Sequence, residues 1–157
     1  MSTTAELVIA AAAAARIRIA AAESLTAGLV AAELGSVPGA SAVLQGGVVA
    51  YQNSVKEQVL GVAGDLLETA GSVDARVAEE MAAGVRRLLN ADLGVSTTGV
   101  AGPEPHDGKP VGTVFIGVAG PSGISSREFH FAGDRAAVRS RACAAALNLL
   151  AAEVGAA

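Results

Sequence analysis

Tryptophan is missing from this 157-residue chain, and one tyrosine and three phenylalanines are its only aromatic side chains. A core without large rings must be filled by aliphatic groups, and 36 alanines predict thin helices that pack closely. A single cysteine, Cys143, excludes an internal disulfide. Two scattered histidines, His106 and His130, give no metal-ligand cluster with it. This usage fits a reducing cytosol. Charge is sparse as well, at 17% of residues, and its formal balance of −4 argues against general affinity for nucleic acid or anionic membranes. The apolar run Val8–Ala15 is too short to cross a bilayer and has no basic stretch before it, so it reads neither as a span nor as a signal peptide.

What is there points to a packed domain. Apolar residues make up 52% of the chain, which excludes intrinsic disorder. A chain of this length buries roughly two-thirds of its unfolded surface and suits one domain over residues 1–157. The expectation is therefore a soluble, cytoplasmic, single-domain protein.

Strand and helix signals alternate. An N-cap among Ser2-Thr3-Thr4 opens an alanine-rich helix to Ala15, and Ile17–Ala22 reads as a buried strand. Leu25–Leu34 reads as a helix closed by Gly35. Val43–Tyr51 is a second strand, in which Gly46-Gly47 suggests a bulge or a close backbone approach. Asn53 is expected to cap a short helix carrying Lys56, and another short helical segment covers Asp65–Ala70. Asp74 caps a longer helix to about Leu89. Asp92–Thr97 is a third strand. Val111–Ala119 and Ser125–Phe131 form a hairpin through Gly120-Pro121-Ser122-Gly123, and Asp134 caps a last helix to about Glu153. This pattern predicts an α/β fold, a three-layer α/β/α sandwich whose mixed sheet has about five strands.

In such sheets ligands sit beyond the strand ends, so the junctions after the first three strands carry most interest. In Ala22-Glu23-Ser24-Leu25-Thr26-Ala27-Gly28 a serine stands where a strand turns into a helix. There the helix's free N–H groups could stabilise an oxyanion beside a nucleophile; the plainer reading is a helix cap. In Tyr51-Gln52-Asn53-Ser54-Val55-Lys56 stands one of only two lysines, against nine arginines. Desolvated lysine can become a base, which arginine cannot; a solvated surface lysine is the alternative. Ala27, three residues after Ser24, excludes a Ser-x-x-Lys pair along one helical turn, so any Ser–Lys pairing must be made in space. Ser96-Thr97-Thr98-Gly99-Val100-Ala101-Gly102-Pro103 could present N–H groups to an anion or be an ordinary turn. Gly102 to Lys109 only superficially imitates a phosphate loop, because Pro110 replaces the required hydroxyl residue. Arg135 at the start of the last helix is a candidate clamp for phosphate or carboxylate. His106, His130 and Cys143 read as incidental.

Taken together, Ala-Glu-Ser-Leu-Thr-Ala-Gly at 22–28, Tyr-x-Asn-x-x-Lys at 51–56, Thr-Gly-Val-Ala-Gly-Pro at 98–103, Lys-Pro-Val-Gly-Thr-Val at 109–114 and Gly-Asp-Arg-x-x-Val-Arg at 133–139 resemble the C-terminal domain family of the competence/damage-inducible protein CinA. The resemblance covers nearly the whole chain. Stand-alone members include PncC-type nicotinamide-nucleotide amidohydrolases, so it implies metal- and cofactor-independent hydrolysis of nicotinamide mononucleotide to nicotinic acid mononucleotide and ammonia. It implies Ser24 as nucleophile and Lys56 as its base, with Tyr51 and Thr98 orienting them. It places substrate-binding groups at Glu23, Thr26, Gly28, Gly46, Gly99, Gly102, Arg135 and Arg139. A cytoplasmic homo-oligomer, a dimer first, is implied as well. Many members carry two glycines after the motif threonine, where this chain has Ala27 before Gly28. The nucleotide pyrophosphatase domain that precedes this region in longer CinA proteins has no counterpart in the sequence. A non-catalytic nucleotide-binding or regulatory module is the competing expectation. A factor acting directly on DNA is disfavoured by the acidic balance.

Overall fold

Five strands form one mixed sheet in the computed structural model, which describes residues 1–155. They are β1 (Ile19–Glu23), β2 (Leu44–Val49), β3 (Leu93–Gly99), β4 (Thr113–Gly120) and β5 (Gly123–His130), in the order β2-β1-β3-β4-β5. β1 runs parallel to both β2 and β3, while β4 and β5 add an antiparallel hairpin. The helices are α1 (Thr4–Ala15), α2 (Leu29–Gly35), α3 (Asn53–Gln58), α4 (Gly64–Ala70), α5 (Ala75–Leu88) and α6 (Arg135–Glu153). The predicted three-layer α/β architecture is the observed one.

Alternation along β1 assigns the two faces. Ile19 and Ala21 pack with Val8, Val30, Leu34, Val138 and Leu150 from α1, α2 and α6. Ala20 and Ala22 point the other way, into Leu66 and Leu67 of α4 and Val77, Met81 and Val85 of α5. Small residues let α5 lie unusually close to the sheet. A Cβ at Gly117 would collide with the carbonyl of Ala78, and one at Gly94 with that of Ala82. Ser96 reinforces the contact by donating to the Ala78 carbonyl at 2.5 Å. The alanine-rich composition thus does what was expected of it, at the cost of leaving no spare volume between these layers.

Several local expectations hold. Thr3 and Glu6 form a reciprocal capping box on α1, Asp74 accepts from the N–H groups of Arg76 and Val77, and Asp134 accepts from that of Ala137. The register between β1 and β2 slips by one residue before Gly46, as the glycine pair suggested. Others need correction. Asn53 is the first residue of α3 rather than its cap, a position held by Gln52 without a side-chain bond. β1 starts at Ile19 and extends through Glu23, and residues 25–28 form a turn ahead of a shorter helix, α2. Cys143 is a buried core residue whose thiol is pushed up to about 11 by burial, then by the charges of Glu23 and Glu33, which leaves it unreactive. No helix among the described residues is long and apolar enough to cross a membrane.

Candidate active site

Because β1, β2 and β3 are parallel, their carboxyl ends open on one edge of the sheet, and the three junctions meet there. Ser24 follows β1, Tyr51 follows β2 and residues 100–102 follow β3. A cleft of about 310 Å³ lies among them, lined by Ser24, Leu25, Tyr51, Ser72, residues 99–106 and Arg135. That volume is at the lower end of the range for small-molecule sites.

The Ser24 turn is held from below. Its backbone N–H donates to the Thr97 carbonyl at 2.9 Å, tying it to the end of β3. Ala27 and Gly28 then adopt consecutive left-handed conformations, with φ of +47° and +103°, which swing the chain into α2. This explains why the helix expected from Leu25 begins only at Leu29. It also alters the expected electrostatics. Glu23, 2% exposed, turns its carboxylate onto the first free N–H groups of α2, accepting from Val30 at 2.8 Å and Ala31 at 3.0 Å. The helix end is therefore occupied by the protein's own anion rather than offered to a ligand. Thr26 donates to Glu23 at 2.6 Å. Since a carboxylate only accepts, the 2.7 Å contact between Thr26 and Thr97 must be donated by Thr97. Arg139 closes the set from α6, donating to the carbonyls of Leu25 and Thr26 at 2.9 and 3.2 Å. Among the described residues the backbone N–H of Leu25, next to Ser24 and on the cleft wall, has no acceptor.

Lys56 reaches this turn from α3. Its Nζ donates to Ser24 Oγ at 3.0 Å and to the Tyr51 carbonyl at 3.0 Å, across 32 residues of sequence in the first case. The side chain is 1% exposed. Burial lowers its pKa from 10.5 to about 8, partly opposed by the negative charge of Asp107. An amine so placed exists in appreciable neutral fraction near physiological pH.

The remaining predicted residues fall into two groups. Tyr51 meets Lys56 through its backbone, while its phenol oxygen accepts from Arg135 at 2.8 Å; Arg135 also donates to the Gly102 carbonyl at 2.7 Å. Gly99 and Gly102 line the cleft with them. Thr98, by contrast, donates to the Ser72 carbonyl at 2.7 Å and bonds to neither Ser24 nor Lys56. Glu23, Thr26, Gly28 and Arg139 lie in or under the Ser24 turn. Gly46 lies on β2, where a Cβ would meet Leu89, away from the cleft. Sequence reasoning set His106 aside, yet it lines the cleft with Ser72 and Glu104. Its signal was only its place in a loop following a third conspicuous motif. Among the described residues no group of three or more His, Cys, Asp or Glu converges as metal ligands would.

A sequence model of the CinA C-terminal domain matches residues 1–154. The chain belongs to that family. A CinA-like protein of Frankia casuarinae is 51% identical over 132 residues, which is 84% of this chain and 30% of that protein. A putative competence-damage inducible protein of Desulforamulus reducens is 50% identical over 133 residues, 85% and 32% of the two chains. The chain thus spans about a third of the length of these curated relatives. Crystal structures of CinA-superfamily proteins correspond to it end to end. The competence/damage inducible protein CihA of Agrobacterium tumefaciens has a TM-score of 0.90 at 33% identity, covering 97% of this chain and 98% of that one. The competence damage-inducible protein A of Klebsiella pneumoniae has a TM-score of 0.92 at 32% identity, covering 98% of both.

Proposed function

We propose that this CinA-family chain is a nicotinamide-nucleotide amidohydrolase, converting nicotinamide mononucleotide to nicotinic acid mononucleotide and ammonia by a serine–lysine mechanism. The observation that carries this reading is the 3.0 Å contact between Ser24 Oγ and the buried Lys56 Nζ at the wall of a cleft. An amide is a poor electrophile, so its hydrolysis gains from an activated nucleophile, a site for the oxyanion and a proton for the departing amine.

In this mechanism neutral Lys56 takes the Ser24 proton as Oγ bonds to the carboxamide carbon. The N–H of Leu25 receives the developing oxyanion, as the residue after the nucleophile does in other hydrolases. Lys56 then returns the proton to the amide nitrogen, the C–N bond breaks and ammonia leaves. Water adds to the Ser24 ester with Lys56 again as base, which releases the carboxylate and restores the hydroxyl. Arg135 binds or supports the anionic part of the nucleotide. The test is ammonia release from nicotinamide mononucleotide by the purified protein, with Ser24→Ala beside it. The expected result is turnover by the parent and a loss of about 10⁴-fold in the variant. Binding of the nucleotide without ammonia would replace this reading with a non-catalytic module.

A further inference from the structure

The loop between β3 and β4 is fastened at its tip, and Asp107, the centre of that fastening, belongs to none of the five sequence motifs. His106 and Lys109 bond each other's backbones in both directions, at 3.1 and 2.9 Å, which turns residues 106–109 into a tight hairpin. From that hairpin Asp107 reaches the turn ahead of α5, where one carboxylate oxygen accepts from the Ser72 N–H at 2.9 Å and the Ser72 hydroxyl at 3.1 Å. Lys109 adds a bond to the Val73 carbonyl at 2.8 Å. The approach is so close that a Cβ on Gly71 would stand 2.7 Å from the same Asp107 oxygen. Ser72 and His106 both face the cleft, and the Ser72 carbonyl holds Thr98.

We propose that Asp107 is a positioning residue, whose carboxylate pins the loop tip to residues 71–73, completes one wall of the cleft and sets a negative charge in the neighbourhood of Lys56. The inference rests on the amidohydrolase reading and extends it to the control of its base. Burial of Asp107 favours its neutral form, but the bonds from Ser72 and then the charges of His106 and Lys109 outweigh this and hold its pKa below the usual value, so it is ionised at neutral pH. Several other ionisable groups surround the hollow. Arg135 is bound to Gly102 and Tyr51, Lys109 to Val73, and Glu57 of α3 packs against Gly64. His106 sits 3.3 Å from Asp107 itself, and Glu104 lines the cleft. Asp107 is the one whose charge opposes the effect of burial on Lys56.

Two variants separate the pin from the charge. Asp107→Asn keeps an acceptor for Ser72 and removes the charge, whereas Asp107→Ala removes both. Because the chain has only two lysines, their side-chain nitrogen resonances can be followed through a pH titration and assigned with Lys109→Arg. Removing the anion disfavours the ammonium form, so in Asp107→Asn the Lys56 midpoint should fall by a few tenths of a pH unit or more, and the rising limb of kcat/KM should move to lower pH with it. In Asp107→Ala, KM on the alkaline plateau should rise about fivefold, while Asp107→Asn stays within about twofold of the parent. An unmoved Lys56 midpoint in Asp107→Asn, or an unchanged KM in a folded Asp107→Ala, overturns the proposal. The titration needs no substrate, so a parent protein that releases no ammonia overturns the amidohydrolase reading while the lysine resonances still decide the role of Asp107.

Discussion

The two walls of the cleft are built on different principles. The Ser24 wall is internal: Glu23, Thr26 and Thr97 are buried, their polar atoms satisfy one another, and Arg139 ties the turn to α6. The opposite construction is seen in residues 103–109, mostly exposed and held by the side chains of Asp107 and Lys109, which reach Ser72 and Val73. A buried network tolerates little movement, because each unpaired member would carry its full desolvation penalty. An exposed loop held at points can change shape at small cost. On the amidohydrolase reading, bond chemistry belongs to the first wall, while the second meets the substrate and, through Asp107, acts on Lys56.

Lys56 is where this division can be tested most severely. Replacement by arginine retains charge but offers no neutral base, and should lower ammonia release by about 10³-fold, read from initial rates. The same side chain leaves a mark on stability. Its folded pKa of about 8 lies below the ordinary lysine value of 10.5, so between these values the unfolded chain binds more protons and stability rises with pH. In a Cys143→Ala background, which removes the opposite slope of a thiol whose pKa is raised by burial, urea unfolding should show a gain of up to about 3 kcal/mol from pH 7.5 to 10.5, abolished in Lys56→Met. A slope that survives in the methionine variant would mean that the lysine is not titrating in its buried state.

The next largest effect is expected beneath the nucleophile. Glu23→Gln puts an amide NH₂ where only acceptors fit, and should cost about 1–3 kcal/mol in denaturant unfolding together with most of the activity. If activity falls with no loss of stability, Glu23 belongs to the chemistry and the internal wall is misdescribed. Arg135→Ala probes the other wall and should raise KM roughly tenfold with kcat less affected. A fall in kcat alone would blur the division. The smallest effect is Ala27→Gly. Alanine at φ +47° is strained and glycine is not, yet glycine gains freedom in the unfolded chain, so a net stabilisation of at most about 1 kcal/mol is expected, with turnover within twofold.

The legible and illegible parts of the sequence divide along the same line. Asp74 and Asp134 could be read as caps because a cap bonds within its own first turn, and Gly46-Gly47 betrayed a bulge because few other reasons place two glycines in a strand. Ser24 and Lys56 were singled out by residue type and motif, though their contact across 32 residues is a product of parallel strands ending side by side. Glu23 was expected among the substrate-binding groups, and its bonds to Val30 and Ala31 could not be read because they depend on a turn that Ala27 gives no hint of: alanine carries no left-handed preference. Thr98 was expected beside the Ser–Lys pair and bonds Ser72 instead, because side chains alternate along β3 and its neighbour Thr97 takes the side of Thr26. Asp107 drew no notice and His106 read as incidental because a loop tip acquires meaning only from the surface it lands on.

The absence of room between α5 and the sheet reaches as far as this loop. A helix that cannot shift by the width of a methyl group delivers its leading turn, and with it Ser72, to a fixed address. Whatever lands on that address can be exchanged without disturbing the foundation. Segments of different length and chemistry grafted between Pro103 and Pro110 would then retune which molecules enter the cleft, and grafts that keep a carboxylate at the place of Asp107 would also keep the charge around Lys56.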